Sequence, residues 1–119
     1  MAEVENKCFL CGYTAEGYKH PRKRIVCIDG ATVSVQASCA HYSLPRACVP
    51  GKYFKIEAGF PSVAPPESWM EHCEDVGTPT ETVYGYMPTG LVWEFVRAHG
   101  GLSEESRDGL NFIPAEEDE

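Results

Sequence analysis

The sequence contains few basic residues, and it has no long apolar run. It has 10 Lys or Arg against 18 Asp or Glu, which gives a formal net charge of −8. This sign disfavours double-stranded DNA as a partner, because DNA-binding domains present an excess of positive charge. No apolar run approaches the roughly 20 residues that a membrane helix needs. Residues 1–7 lack the basic and then apolar character of a secretory signal peptide. We therefore expect a soluble, cytosolic protein.

Charge is also distributed unevenly along the chain. Residues 1–55 carry eight Lys or Arg against four Asp or Glu, whereas residues 56–119 carry two against fourteen. Such an uneven distribution of charge usually reflects only charged side chains that face water, but it can also give a basic face that binds an anionic partner. The length of 119 residues suits one modest core. We predict a single domain over residues 7–113 and an acidic, disordered tail over residues 114–119.

The clearest structural pattern spans residues 81–101. Residues 82–86 are of types that favour a strand, and Pro88 predicts the end of that strand. A helix capped by Thr89 is predicted to follow, and Gly100 and Gly101 supply the left-handed residue that ends it. The predicted helix carries one stripe at helical spacing, formed by Leu91, Val92, Phe95, Val96 and His99.

The rest of the chain predicts a sheet for this helix to cover. Residues 24–28 and 31–38 read as a hairpin around the two-residue turn Asp29-Gly30, so that Cys27 faces Thr32. Residues 52–60 alternate as a third strand, and residues 66–75 and 103–108 as short helical segments. This order predicts an α+β fold, namely a small antiparallel sheet of about four strands with one main helix packed on one face.

Three stretches resemble a known group of proteins. They are residues 33–46 (VSVQAS followed by HYS and PR), residues 57–62 (EAGFPS), and residues 79–101 (PTETVYGYMP followed by HGG). Together they resemble small, uncharacterised proteins encoded by bacteriophages and prophages. The resemblance implies expression in an infected or lysogenic bacterial cell, and it carries over no catalytic residues.

A Cys-x-x-Cys-Gly sequence at residues 8–12 has the form of a zinc knuckle. Two thiolates at this spacing can bind one tetrahedral ion, although a redox dithiol or two buried cysteines share the pattern. In the predicted hairpin His20 lies opposite Cys39, whereas Cys27 lies about 23 Å from Cys39 at ~3.3 Å per residue. We therefore predict an N-terminal zinc knuckle with His41 as a substitute ligand and Cys27 as a strand thiol. Its ligands are Cys8, Cys11, His20 and Cys39.

The segment after the second predicted strand carries two further possibilities. On an extended chain Cys39 and His41 point to the same side, which suits a nucleophile and its base, but no third group or oxyanion hole is identifiable. Alternatively, the basic run at residues 19–24 and nearby aromatic residues suggest binding of a nucleotide or short single strand. The candidate ligand-binding residues are His41, Tyr42, Arg46, Tyr84 and Tyr86.

The leading functional hypothesis is a non-enzymatic, phage-type accessory protein. It would bind and modulate a host or defence factor, either a protein or a small signalling nucleotide, in the cytoplasm of a bacterial cell. The small size, the resemblance, the charge polarity and the lack of a recognisable catalytic constellation support it. The alternative is a small metal- or thiol-dependent enzyme that uses Cys39 and His41.

Overall fold

A computed structural model describes residues 22–39, 41–47 and 52–115 of the chain. Within these residues, four strands form one antiparallel sheet in chain order: β1 (Ile25–Val26), β2 (Thr32–Gln36), β3 (Lys55–Gly59) and β4 (Val83–Pro88). One α-helix, α1 (Thr89–Ala98), follows β4 directly, and two short 3₁₀ helices cover Glu67–His72 and Glu104–Ser106. The predicted α+β architecture is thus confirmed. No helix in this described part is long and apolar enough to cross a membrane.

The core lies between one face of the sheet and α1. Strand alternation turns Val33 and Val35 of β2 inward, and Ile56 and Ala58 of β3 lie beside them. The predicted helical stripe supplies three fully buried side chains, which are Val92, Phe95 and Val96. After the last 3₁₀ helix, Leu110, Phe112 and Ile113 close the same core.

The first hairpin differs from its prediction by one residue. Ile25 pairs with Val33, and the Cys27 amide donates to the Ala31 carbonyl at 2.8 Å, so the loop has three residues rather than two. Gly30 takes a φ of 98°, which suits the last residue of a three-residue loop. The amides of residues 28 and 29 are bonded to carbonyls of residues 101 and 99 at the helix end. Cys27 therefore faces Ala31 and is buried in the core.

The predicted third strand is shorter than residues 52–60, and its start departs from the alternation. Tyr53 is buried and Phe54 is exposed, whereas regular alternation would place Phe54 on the buried face with Ile56 and Ala58. The reason is that neither amide joins the sheet: Tyr53 donates to the Phe112 carbonyl and Phe54 to the Leu44 carbonyl, both at 2.9 Å. Only Lys55–Gly59 follows the ladder.

The junction between β4 and α1 confirms one prediction and corrects another. Pro88 is the last residue of the strand, as predicted, and lies opposite Lys55 in an edge strand where the missing N–H is tolerated. Pro88 also occupies the N-cap position, and no side chain caps the helix. Thr89 is therefore the first helical residue rather than the cap.

The predicted end of α1 is confirmed. Gly100 has a φ of 90° and Gly101 a φ of 102°, and the Gly101 amide donates to the Val96 carbonyl at 2.9 Å. These are left-handed conformations that β-branched residues resist.

Replacement of Gly100 by valine should therefore destabilise the protein by about 1 kcal/mol or more. An added Cβ would lie in ordinary contact with Ile28, 3.5 Å from its Cβ, so the cost at that atom comes from the backbone conformation. Chemical denaturation measures this loss of stability. An unchanged free energy of unfolding would refute the assignment of Gly100 as the left-handed residue that ends α1. Gly90→Ala within α1 is the control, because alanine should stabilise that position by about 0.8 kcal/mol.

Candidate functional site

The loop at residues 41–47 crosses the open side of the sheet, opposite the face that α1 covers. Leu44 forms an isolated antiparallel bridge with Lys55 at the start of β3. The Tyr42 amide donates to the Glu57 carboxylate at 3.0 Å, and the Tyr42 carbonyl accepts from the Tyr86 amide at 2.9 Å. These bonds fix the loop to β3 and β4 on the side that the helix leaves open.

A β-bulge in β4 determines which tyrosines reach this surface. Ile56 pairs with Met87 but Ala58 pairs with Tyr84, so Gly85 and Tyr86 together lie opposite a single residue of β3. Tyr86 adopts a φ of 49°, and a bulge of this kind re-aims a side chain. Tyr84 remains fully buried, whereas Tyr86 is 43% exposed. The bulge therefore separates two residues that regular alternation would place on one face.

Three of the predicted ligand-binding residues meet on this surface. The rings of Tyr42 and Tyr86 stack, with centroids 5.6 Å apart and planes inclined by 25°. The Arg46 guanidinium lies 5.0 Å from the centre of the Tyr42 ring. We call Tyr42, Arg46 and Tyr86 the tyrosine patch. Both tyrosines remain more than two-fifths exposed, which leaves a preformed aromatic and cationic surface open to solvent.

Gly85 is the residue that lets the loop approach β4. A Cβ at this position would lie 3.1 Å from the Cβ of Tyr42 and 3.2 Å from its Cδ2. Glycine within a strand often marks a bulge or a close approach of another segment, and both occur here. The glycine between two tyrosines is therefore the sequence signal for this arrangement.

Tyr84, by contrast, is not part of this surface. Its ring packs edge-on against Trp69 at a centroid distance of 5.3 Å, and its hydroxyl donates to the Pro79 carbonyl. Burial, followed by the neighbouring Cys73 side chain, raises the pKa of the Tyr84 hydroxyl. Tyr84 is a core residue, and its ring has no open face for a ligand.

His41 lies beside the tyrosine patch in a half-buried position. Its Nδ1 is 2.7 Å from the hydroxyl oxygen of Ser38. Burial first, and then the positive charges of Arg22 and Arg46, together lower the pKa of His41 to about 4. The imidazole is therefore neutral at neutral pH. Ser38 was not among the predicted site residues, since nothing in its local sequence distinguishes it.

The premise behind a Cys39–His41 pair does not hold. The His41 amide donates to the Ser38 carbonyl at 3.4 Å, and a contact between residues three apart is out of reach of an extended chain. The Cys39 side chain is half-buried. The residue shown bonded to the His41 ring is Ser38, and that serine is only 2% exposed. A buried hydroxyl is closed to a substrate.

The pKa of His41 predicts a pH dependence of stability. Below pH 6.5 an unfolded histidine binds a proton that the folded protein resists until about pH 4. The free energy of unfolding should therefore fall between pH 7 and pH 4, by on the order of 1–2 kcal/mol after allowance for solvent screening. Urea titrations across this range measure the fall. His41→Asn keeps a bond to Ser38 without titrating, and an undiminished fall in that variant would contradict the prediction.

The described part of the basic run is used within the fold. Arg22 donates to the Ala37 carbonyl at 2.6 Å, and its guanidinium lies 4.1 Å from the centre of the Phe112 ring. Arg24 donates to the Thr32 hydroxyl and to the Phe60 carbonyl. Arg24 is nevertheless exposed, so its charge still faces solvent.

A shallow groove of about 190 Å³ adjoins the patch on the open face. It is lined by His41 and Phe60 together with residues of three strands, namely Ser34, Gln36, Glu57, Ala58, Gly59 and Val83. Phe60 is 48% exposed and has a φ of 51°. Neither Glu57, which lies in the groove and accepts from Tyr42, nor Phe60 was predicted as a site residue. The volume of the groove is smaller than the roughly 300–1,000 Å³ that small-molecule sites occupy.

The predicted zinc ligands cannot be assembled from the described residues. Cys8, Cys11 and His20 lie outside the described ranges, and Cys39 alone of the four ligands is placed. Residues 116–119 of the tail predicted over residues 114–119 also lie outside those ranges. Among the described residues, no group of three or more His, Cys, Asp or Glu is arranged to hold a metal ion. The zinc knuckle therefore stays a prediction.

Comparison of this chain with models of protein families, with curated proteins and with solved structures finds no match. The function must therefore be argued from the site itself.

Proposed function

We propose that this protein is a non-enzymatic binding protein that engages a partner protein through the tyrosine patch. The observation that carries the proposal is the preformed stack of Tyr42 and Tyr86 with Arg46 against it, exposed on the open face of the sheet. Tyrosine and arginine are enriched among the residues that dominate binding energy at protein interfaces. Because these side chains already contact one another, little conformational entropy remains to be lost on binding.

A protein partner fits this surface better than a nucleotide does. The Tyr42 ring already has both Tyr86 and the Arg46 guanidinium as stacking partners, so an incoming base would have to displace one of them. The adjoining groove is smaller than a nucleotide needs and contains the Glu57 carboxylate, which would repel a phosphate. A flat aromatic surface with an arginine is instead the usual character of an interface core.

The alternative of a thiol-dependent enzyme has less support. A general base works best with a pKa near the operating pH, and the pKa of His41 lies at about 4. The hydrogen bond from the His41 amide to the Ser38 carbonyl is incompatible with the extended segment that would direct Cys39 and His41 to one side. We therefore assign His41 and its bond to Ser38 a structural role in fixing the loop that carries the patch.

The resemblance to bacteriophage and prophage proteins suggests where the partner is found. On that basis the protein acts in the cytoplasm of a bacterial cell, and its partner is a host or defence protein that it modulates by binding. The stretches that carry the resemblance include Tyr42, Arg46 and Tyr86, so the patch falls within them.

Capture from a bacterial lysate, followed by reconstitution, tests the proposal. Tagged wild-type protein should retain one stoichiometric partner, and the purified pair should re-form a complex that Tyr42→Ala abolishes. Ile28→Asn is the matched control, because Ile28 is 66% exposed at the opposite end of β2 and should bind normally. A complex that survives Tyr42→Ala, or nucleotide hydrolysis that disappears in His41→Ala with the fold intact, would overturn the proposal.

The proposal also includes the zinc knuckle as a structural metal site near the N-terminus. Elemental analysis of protein purified without chelators should find about one zinc per chain, lost in Cys11→Ser and retained in Cys27→Ser. Cys27 is buried in the core beside Ala31, and burial raises the pKa of its thiol, which disfavours the thiolate that zinc requires. Native protein that contains no metal would contradict the prediction of a zinc knuckle.

A further inference from the structure

The described part of the basic run, residues 22–24, lines a cleft that the proposed function does not use. The cleft has a volume of about 470 Å³, which falls within the roughly 300–1,000 Å³ of small-molecule sites. Its other lining residues are Ile25 and members of residues 104–112. It shares no lining residue with the groove beside the tyrosine patch. The cleft is therefore a separate candidate site.

The fold holds the two segments that line this cleft side by side. The Val26 amide donates to the Ser106 hydroxyl at 2.8 Å, and the Val26 carbonyl accepts from the Ser103 amide at 2.9 Å. Gly109 lies so close to Ile25 that a Cβ on the glycine would be 2.8 Å from the Ile25 Cδ1. Contacts at both Val26 and Ile25 thus join the residues after position 102 to β1.

The two segments bring charges of opposite sign to the cleft. Its charged lining residues are Arg22, Lys23 and Arg24 from the first segment and Glu104, Glu105 and Asp108 from the second. Among the described residues, no ion pair joins a member of one group to a member of the other. The basic first half and the acidic second half of the sequence therefore meet here without neutralising one another.

Arg22 gives the basic side of the cleft a preorganised charge. Its Nη1 donates to the Ala37 carbonyl at 2.6 Å, and its guanidinium lies 4.1 Å from the centre of the Phe112 ring, which also lines the cleft. A guanidinium has five N–H donors in a planar fork that suits a carboxylate, and Lys23 beside it is exposed. A purely anionic ligand would still be repelled by the acids, and a purely cationic one by the basic residues. Charge complementarity therefore favours a ligand that carries both signs.

We propose that this cleft binds a small zwitterion that carries an ammonium and a carboxylate, as an amino acid or a short peptide with free ends does. The carboxylate binds at Arg22 and Lys23, which can donate charge-assisted hydrogen bonds to it. The ammonium binds at the acidic residues of the second segment. The site is independent of the tyrosine patch, so it adds a ligand to the protein rather than a feature of the partner.

Nuclear magnetic resonance titration of isotopically labelled protein tests this inference with alanine, dialanine and trialanine as probes. At least one probe should shift the amide signals of residues 22–26 and 103–112 in a saturable manner. Acetylation of the amino end or amidation of the carboxyl end of the best probe should each weaken binding by about threefold or more, as expected for the loss of exposed ion pairs.

Charge-neutral variants identify which side of the cleft binds which end of the probe. Lys23→Gln should reduce the advantage of the free probe over its amidated form, and Glu105→Gln should reduce its advantage over the acetylated form. Both side chains are exposed, so both variants should fold normally. Glu71→Gln is the control, because the Glu71 side chain is 81% exposed outside the cleft, and this variant should keep full affinity.

Three results would overturn the inference. The first is no saturable shift with any of the three probes, and the second is equal affinity for the free and the blocked forms, since the end charges would then not be recognised. The third is loss of probe binding in Tyr42→Ala, which would place the zwitterion at the tyrosine patch. We expect Tyr42→Ala to bind the probe as wild type does, whatever happens to partner binding, so the two proposals are tested separately.

Discussion

Replacing Tyr86 by asparagine should abolish partner binding without destabilising the protein. The substitution removes the exposed ring that stacks on Tyr42, and asparagine tolerates the left-handed conformation that strains tyrosine. Loss of a central interface residue typically costs about 2 kcal/mol or more of binding free energy, or roughly thirtyfold in affinity. Relief of about 1–3 kcal/mol of strain should offset about 0.5–1.5 kcal/mol of lost stacking in the folded protein.

The measurement pairs affinity for the reconstituted partner with a thermal melt of each variant. Ile28→Asn is the matched control, because it also replaces an exposed apolar residue with asparagine and should keep full affinity. If Tyr86→Asn lowered the melting temperature and left affinity unchanged, Tyr86 would be a structural residue. The surface assignment would then be wrong.

Replacing Trp69 by alanine should have the largest effect on stability of any substitution considered for this chain. Trp69 is fully buried, and its indole lies 5.3 Å from the ring centres of both Tyr84 and Phe95. Its N–H donates to the Leu91 carbonyl at 3.0 Å, so truncation also removes this hydrogen bond. Such a change costs about 3–5 kcal/mol. That is a large part of the roughly 5–15 kcal/mol that stabilises a typical domain.

Urea unfolding monitored by circular dichroism would measure this loss. Trp93→Ala is the control of the same residue type, since Trp93 is only half-buried, although its N–H also donates to a carbonyl, that of Pro114. It should cost clearly less than Trp69→Ala. Equal losses at the two positions would contradict the description of Trp69 as the side chain that joins the sheet, α1 and the 3₁₀ helix.

Local sequence was sufficient where neighbouring residues determine the structure. The stripe of α1, its glycine terminus and the inward valines of β2 depend on periodicity and backbone preference within a few residues. The hairpin register depends on more than nearby residues, because the amides of Ile28 and Asp29 are bonded to residues about seventy positions away. Those distant contacts select a three-residue loop around Asp29-Gly30 over a two-residue loop.

The candidate site also depends on contacts that the local sequence does not determine. Regular alternation would place Tyr84 and Tyr86 on one face, and both were predicted to bind ligand. One extra residue in the bulge sends Tyr84 into the core and leaves Tyr86 beside Tyr42. Gly85 signals the bulge, but its position against the Tyr42 side chain requires the folded loop. Phe60 could not be identified from sequence, because its exposure follows from a strained backbone angle.

Photo-cross-linking from the open face tests the central claim most directly. A photoreactive amino acid in place of Leu44, which is 50% exposed beside the tyrosine patch, leaves Tyr42, Arg46 and Tyr86 intact. Irradiation of the complex captured from bacterial lysate should join position 44 covalently to the partner protein. The same group at Ile28 should give no product above background. Cross-links from position 28 with none from position 44 would contradict the account, because the partner would then lie away from the tyrosine patch.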